Sequence, residues 1–308
     1  MVSSVVELRG LSLSLQGRPV LDHVDMAIRP AQISALIGEN GAGKTSTIRC
    51  ITGLYPPTRG MCSMFGEPAY NMTQKSRNRF GVVFDEGGLY GEMSAWENVL
   101  FFGRLRGMRK ETIAERFSSL AQHFELKSTL KAARFSKGMK QKLMIIRELL
   151  HEPELLVLDE PFTGLDPDSK IFLRDQLKEI CLKQGTSIFI SSHDLFDLEK
   201  IADHVMMIHQ GRIVADQTLG TISGVTERYI AVCSRPDEAV NVLHNMVGIQ
   251  VLSHDEQSVT LVIQPELIKQ PLQLLLQEGI EVKEFFKEKG SLEDFYRETK
   301  QAAVKTKV

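Results

Sequence analysis

The strongest constraint on this chain is the run Gly38-Glu39-Asn40-Gly41-Ala42-Gly43-Lys44-Thr45, a GxxxxGK[ST] pattern. It follows the apolar stretch 33–37 and opens a segment with helical spacing. Glycines let the backbone wrap so tightly that successive N–H groups point inward, and the helix that follows adds its positive end. Such a loop is a cradle for the phosphates of a nucleotide. Lys44 reaches the β- and γ-phosphates, the Thr45 hydroxyl is an Mg²⁺ ligand, and Ser46 continues the cradle into the helix. A strand–loop–helix unit of this kind belongs to an α/β layer architecture.

A second constraint lies downstream. The apolar run Leu155-Leu156-Val157-Leu158 ends in Asp159-Glu160. In an open parallel sheet, ligands bind beyond the carboxyl ends of the strands. Asp159 is placed there to hold Mg²⁺ as a hard oxygen ligand. Glu160, one residue further on, points elsewhere and is the candidate general base for an attacking water. Two solvated acids at a strand end would look the same; the phosphate loop upstream decides between the readings.

Composition narrows the class. Of 308 residues, 43% are apolar and 25% charged, which fits a globular chain long enough for two domains. Lys plus Arg is 37 and Asp plus Glu is 39, a net charge of −2. With no basic block, no nucleic-acid partner is expected. The four cysteines, Cys50, Cys62, Cys181 and Cys233, have irregular spacing that fits neither a metal site nor a disulfide framework, so reduced thiols are expected. No apolar run approaches the length of a membrane helix, and no basic segment followed by an apolar one marks a secretory signal. A membrane role would come through a partner.

Strands are expected at 5–9, 24–28, 32–37, 80–84, 154–158, 186–190 and 204–209, and helices at 43–53, 94–106, 136–150, 168–183 and 194–201. Ser94 and Glu97 have capping-box spacing. The text changes near the polar connector 220–228. Beyond it, strand 229–233, helix 236–246, strands 249–252 and 258–263, helix 265–276 and strand 280–285 spell β-α-β-β-α-β, a ferredoxin-like α+β pattern, closed by a helix at 291–301. Domains are therefore expected at 1–222 and 223–308.

Between the two phosphate-site motifs lies Arg134-Phe135-Ser136-Lys137-Gly138-Met139-Lys140-Gln141. This resembles the signature segment, LSGGQ, of ABC-type ATPases. Pro161-Phe162-Thr163-Gly164-Leu165-Asp166 and Ser191-Ser192-His193 resemble that family's next segments in order. The resemblance covers about residues 1–222. It implies a P-loop NTPase of ABC type that binds ATP and Mg²⁺ and hydrolyses ATP. It also implies a head-to-tail nucleotide-sandwich dimer, with a second copy or a paralogous ATPase subunit. There Ser136 and Gly138 close on the nucleotide of the opposite subunit, Asp166 organises the interface, and His193 contacts the γ-phosphate.

One nucleotide domain without a membrane segment implies a separate transmembrane permease subunit, and a position at the cytoplasmic face of the cell membrane through it. The stretch 88–107 and Gly290-Ser291-Leu292-Glu293-Asp294-Phe295 resemble bacterial drug, antibiotic-peptide and sodium exporters. Transmission to the permease falls to residues 86–96. A soluble ABC ATPase without a membrane partner is the alternative. Two positions depart from the family. Leu15 stands where an aromatic ring usually stacks on adenine; it either covers the base or is a packed strand residue. Asp85 stands where glutamine is usual; it is read as a metal-side or coupling residue, against a solvated loop acid.

Overall fold

The computed structural model describes residues 4–85, 87–127, 129–222, 228–244, 246–264, 267–288 and 291–305. The chain divides into two compact units, residues 1–218 together with 299–308, and residues 219–298. The sequence placed the division at 222/223; the connector residues 223–227 lie outside the described residues.

The first unit opens with a hairpin, β1 (Val6–Leu15) and β2 (Arg18–Ile28), joined by Gln16 and Gly17. Both turn residues have positive φ, 50° and 77°, as a two-residue primed turn requires. There follow β3 (Ile33–Ile37), α1 (Lys44–Ile51), β4 (Arg59–Met64), β5 (Glu67–Pro68), α2 (Gln74–Arg77) and β6 (Phe80–Val83). Next come α3 (Ala95–Leu105), α4 (Lys110–His123), α5 (Lys137–Leu149), β7 (Leu155–Asp159), α6 (Pro167–Gln184), β8 (Ser187–Ser192), α7 (Leu195–Glu199), β9 (His204–His209) and β10 (Arg212–Thr218).

The central sheet runs β10-β9-β3-β8-β7-β6, parallel except for β10. Every residue of β3, β7 and β8 is buried, as unbroken apolar runs should be in a sheet covered on both faces. A second, antiparallel sheet runs β2-β1-β4-β5. Its inward residues, among them Leu8, Leu11, Leu21 and Met64, pack in one core with Ile48 of α1 and Val157 of β7. That core fixes α1, and with it the phosphate loop, against two sheets. The Ser94–Glu97 capping box forms at the start of α3.

The second unit contains α8 (Leu219–Ile222), β11 (Arg228–Cys233), α9 (Pro236–Leu243), β12 (Ile249–His254), β13 (Ser258–Ile263), α10 (Gln270–Gln277) and β14 (Val282–Glu288). Its antiparallel sheet has the order β12-β13-β11-β14, that of a split βαβ fold. Tyr229, Ala231, Val259, Leu261 and Leu275 form its own core. The helix α11 (Leu292–Lys305) ends the described chain. All four cysteines are buried and unpaired. No helix among the described residues is long and apolar enough to cross a membrane.

Candidate nucleotide and metal site

The phosphate loop joins the end of β3 to the start of α1. Two of its glycines are fixed by close approach. A Cβ on Gly38 would stand 2.5 Å from the Ile208 carbonyl oxygen; one on Gly43 would stand 2.7 Å from Leu21 Cδ2, at a φ of +116°. The cradle residues are therefore small because β2 and β9 crowd the loop from behind. Lys44 opens α1 and is 6% exposed. Its ammonium donates to the carbonyls of Gly38 at 2.8 Å and Glu39 at 3.2 Å, and lies 3.1 Å from Glu160 Oε1.

Asp159 ends β7 and is almost wholly buried. Burial raises its pKa; hydrogen bonds from the Ser191 and Thr45 hydroxyls pull the other way. Thr45, Asp159 and Asp85 line one cavity with Arg49, Leu54 and Phe84. A hydroxyl and a desolvated carboxylate facing each other at the mouth of the cradle are hard oxygen donors, and they fit a divalent cation. Asp85 stands on the same side.

Glu160 leaves the strand direction at once. Its φ is +50°, outside the strand region, and its N–H donates to the Ser191 carbonyl at 3.0 Å. This turn carries its carboxylate across to the cradle. Oε1 faces Lys44; Oε2 is 2.8 Å from His193 Nδ1 and accepts from Thr163 Oγ1 at 3.2 Å. A carboxylate so held is a hydrogen-bond acceptor at the mouth of the loop, with His193, just beyond β8, on its far oxygen.

A cavity of about 420 Å³ brings together Leu15, Glu39, Asn40, Gly41, Gly43, Lys44, Thr45, Ser46, Asp85, Asp159 and Glu160. Val20 of β2 lines it as well, next to Leu15, and no sequence signal had marked it. Ser191 was named only as part of the segment that leads to His193; its role was missed, because a serine inside a buried strand does not announce its distant partners, yet it holds both Asp159 and Glu160.

Ser136, Gly138 and Asp166 are not lining residues of that cavity. They form a group of their own. Ser136 caps α5, accepting from the Met139 N–H at 3.2 Å. Asp166 caps α6, accepting from the Ser169 N–H at 2.9 Å and the Ser169 hydroxyl at 2.7 Å; these bonds lower its pKa. A Cβ on Gly138 would come within 3.1 Å of that same hydroxyl, so the two helix starts are packed together. Of the segment 86–96, Glu86 lies outside the described residues. Tyr90 is about half exposed, its ring 5.1 Å from Phe101 and 5.8 Å from Phe102; Trp96 lies 5.9 Å from Phe117.

Known proteins resemble this chain in sequence and in fold. The family model for ABC transporters matches residues 21–163. The chain is 31% identical over 302 residues to the bacitracin transport ATP-binding protein BcrA of Bacillus licheniformis, covering 96% of this chain and 97% of that one. It is 34% identical over 217 residues to a Nod factor export ATP-binding protein of Cupriavidus metallidurans, covering 70% and 71%. A solved structure of the ATP-binding subunit of an ABC transporter superposes with a TM-score of 0.65 at 34% identity, covering 72% of this chain and 92% of that one.

Proposed function

Because the chain belongs to the ABC transporter family of ATP-binding subunits, we propose that it is the ATP-hydrolysing, nucleotide-binding subunit of an ABC exporter whose cargo is a drug, an antibiotic peptide or a related small molecule. The observation that carries this reading is the placement of Glu160 between Lys44 and His193, one residue beyond the buried Asp159.

The nucleoside triphosphate would lie along residues 38–46, with its base against Leu15 and Val20. Lys44 neutralises the β- and γ-phosphates. Thr45 and Asp159, with Asp85 alongside, would hold Mg²⁺, which would supply further positive charge for the phosphates. Glu160 accepts a proton from the attacking water, and His193 keeps its carboxylate oriented. Ser136, Gly138 and Asp166 stand apart from the cavity that Lys44 lines. They serve the nucleotide of a second copy, or of a paralogous ATPase subunit, in a sandwich dimer. A transmembrane permease subunit receives the motion through the segment 86–96, where Tyr90 is exposed and packs on the exposed Phe101 of α3. It also holds the subunit at the membrane as a peripheral component. Residues 219–298 carry none of these groups and act as an accessory unit.

The test is Glu160→Gln, which keeps size and removes the base. Turnover should fall by about 10²–10⁴-fold. ATP should still bind, and gel filtration at saturating MgATP should show a dimer. Wild-type turnover in the variant would remove Glu160 from its role; an inactive variant that stays monomeric with ATP bound would defeat the sandwich.

A further inference from the structure

Arg147, near the end of α5, is only 8% exposed, and three separate contacts occupy its guanidinium. Nε donates to Glu148 Oε1 at 2.7 Å. Nη1 donates to the backbone carbonyl of Gly88. The guanidinium carbon lies 4.4 Å from the centroid of the Phe102 ring in α3. Glu148, also buried, accepts a second charged bond from Arg106 Nη2 at 2.8 Å. One carboxylate thus serves two guanidinium groups, and Arg147 turns Nη1 to the loop after β6.

That loop is shaped around the contact. Gly88 has φ +100°, and a Cβ there would stand 3.0 Å from Arg147 Nη1. At the loop's near end, Asp85 lines the nucleotide cavity with Thr45 and Asp159. At its far end, Tyr90 stacks on Phe102, the ring that Arg147 covers, and its N–H donates to Asn98 Oδ1 at 2.7 Å. The helix behind Arg147 begins at the Ser136 cap. One buried side chain therefore ties the signature helix to the loop that runs from the nucleotide cavity to the exposed aromatic face.

We propose that Arg147 is a positioning residue for ATP hydrolysis: its grip on the Gly88 carbonyl sets the loop from Asp85 to Tyr90, and with it the place of Asp85 beside Thr45 and Asp159. Lysine cannot replace it. A charged planar fork makes several directed bonds at once and lies flat on a ring, whereas an ammonium offers one compact charge. The proposal rests on the ATPase reading given above.

The experiment compares wild type, Arg147→Lys and Gly88→Ala in the full chain, by amide hydrogen exchange and steady-state ATP turnover. Gly88→Ala crowds Nη1 but also strains a backbone held at φ +100°, so the arginine variant carries the test, with Arg147→Gln taking its place if Arg147→Lys does not fold. In both variants the amides of 87–91 should exchange about tenfold faster, while those of β7 and β8 keep their protection. The kcat should fall about tenfold with KM for ATP nearly unchanged, because residues 38–46 are untouched. Unchanged exchange in 87–91 would overturn the proposal. So would a loosened loop with unaltered kcat, or a loss of protection that extends equally through β7 and β8. A wild-type protein that hydrolyses no ATP would instead defeat the functional reading, and the exchange arm would still decide whether Arg147 holds the loop.

Discussion

Nδ1 of His193 lies 2.8 Å from Oε2 of Glu160, while the opposite oxygen of the same carboxylate faces the buried ammonium of Lys44 at 3.1 Å. Both oxygens of the candidate base are therefore held before any water arrives. In the mechanism proposed above the histidine acts through the carboxylate, so the two should behave as one unit when mutated.

His193→Ala should leave ATP binding intact and slow hydrolysis by about 10–10²-fold, less than loss of Glu160 itself. Adding it to Glu160→Gln should slow the enzyme little further, because residues that act together are not additive. Single-turnover hydrolysis by the two single variants and the double variant checks this. Fully multiplicative losses would mean that His193 works independently of Glu160.

Asp159→Asn should separate metal binding from folding. The raised pKa of Asp159 means that the folded chain takes up this proton more readily than the unfolded one. The charged carboxylate is thus a cost to stability at neutral pH, relieved as pH falls through the folded value. The amide carries no such cost. Without nucleotide, the variant should melt no lower than wild type at pH 7, and its advantage should shrink on acidification. Its Mg²⁺-dependent ATP affinity should drop at least about tenfold, since even partners behind a metal ligand are worth that much. Thermal melts and nucleotide titrations with and without Mg²⁺ are the measurements.

Leu15→Tyr should tighten ATP binding by up to about tenfold, the value of one added stacking contact. Leu15 is half-buried at the end of β1 and lines the cavity beside Val20, so a ring there has room to lie along the base. Equilibrium titration with ATP and GTP tests it. Unchanged affinity for both would place the base away from Leu15.

His151 should make the fold sensitive to mild acid. Burial, aided by the Arg106 charge, pushes its pKa down to about 4. Its Nε2 bonds the Phe80 carbonyl at 3.1 Å, whereas its buried Nδ1 has no partner among the described residues, so a second proton finds no acceptor. The unfolded chain protonates near the ordinary value of 6.5, and the folded chain does not. Stability is therefore lost as pH falls from about 6.5 towards 4, by about 2 kcal/mol at pH 5 relative to pH 7. Urea unfolding of wild type and His151→Gln at both pH values should show a smaller loss in the variant.

The parts of this site legible in the sequence are those whose chemistry is local. Gly38 to Ser46 announces itself because backbone geometry and one lysine are set within nine consecutive residues. Asp159 and Glu160 stand at the end of a wholly apolar strand, and strand ends are where such sheets bind ligands. What escaped detection depends on distant partners. The β1–β2 hairpin shifts register three times, which blurs the period-two pattern of 6–28, so only its two ends read as strands. α4 buries only Ile113 fully, and β10 buries no residue fully and packs only Ile213 against the core, leaving little periodic signal in either. Ser191 and Arg147 gain their meaning from residues 32 and 59 positions away, Asp159 and Gly88.

The left-handed backbone at Glu160 has a consequence for how this chain would respond to selection. A non-glycine residue held there costs on the order of 1–3 kcal/mol, and the turn is what swings the carboxylate off the strand's own alternation toward Lys44. Screening a library for heat resistance alone would favour asparagine or glycine at this position, since both tolerate that conformation. The hardiest survivors would then hold nucleotide without consuming it, and a lineage kept only for durability would drift from engine to receptor.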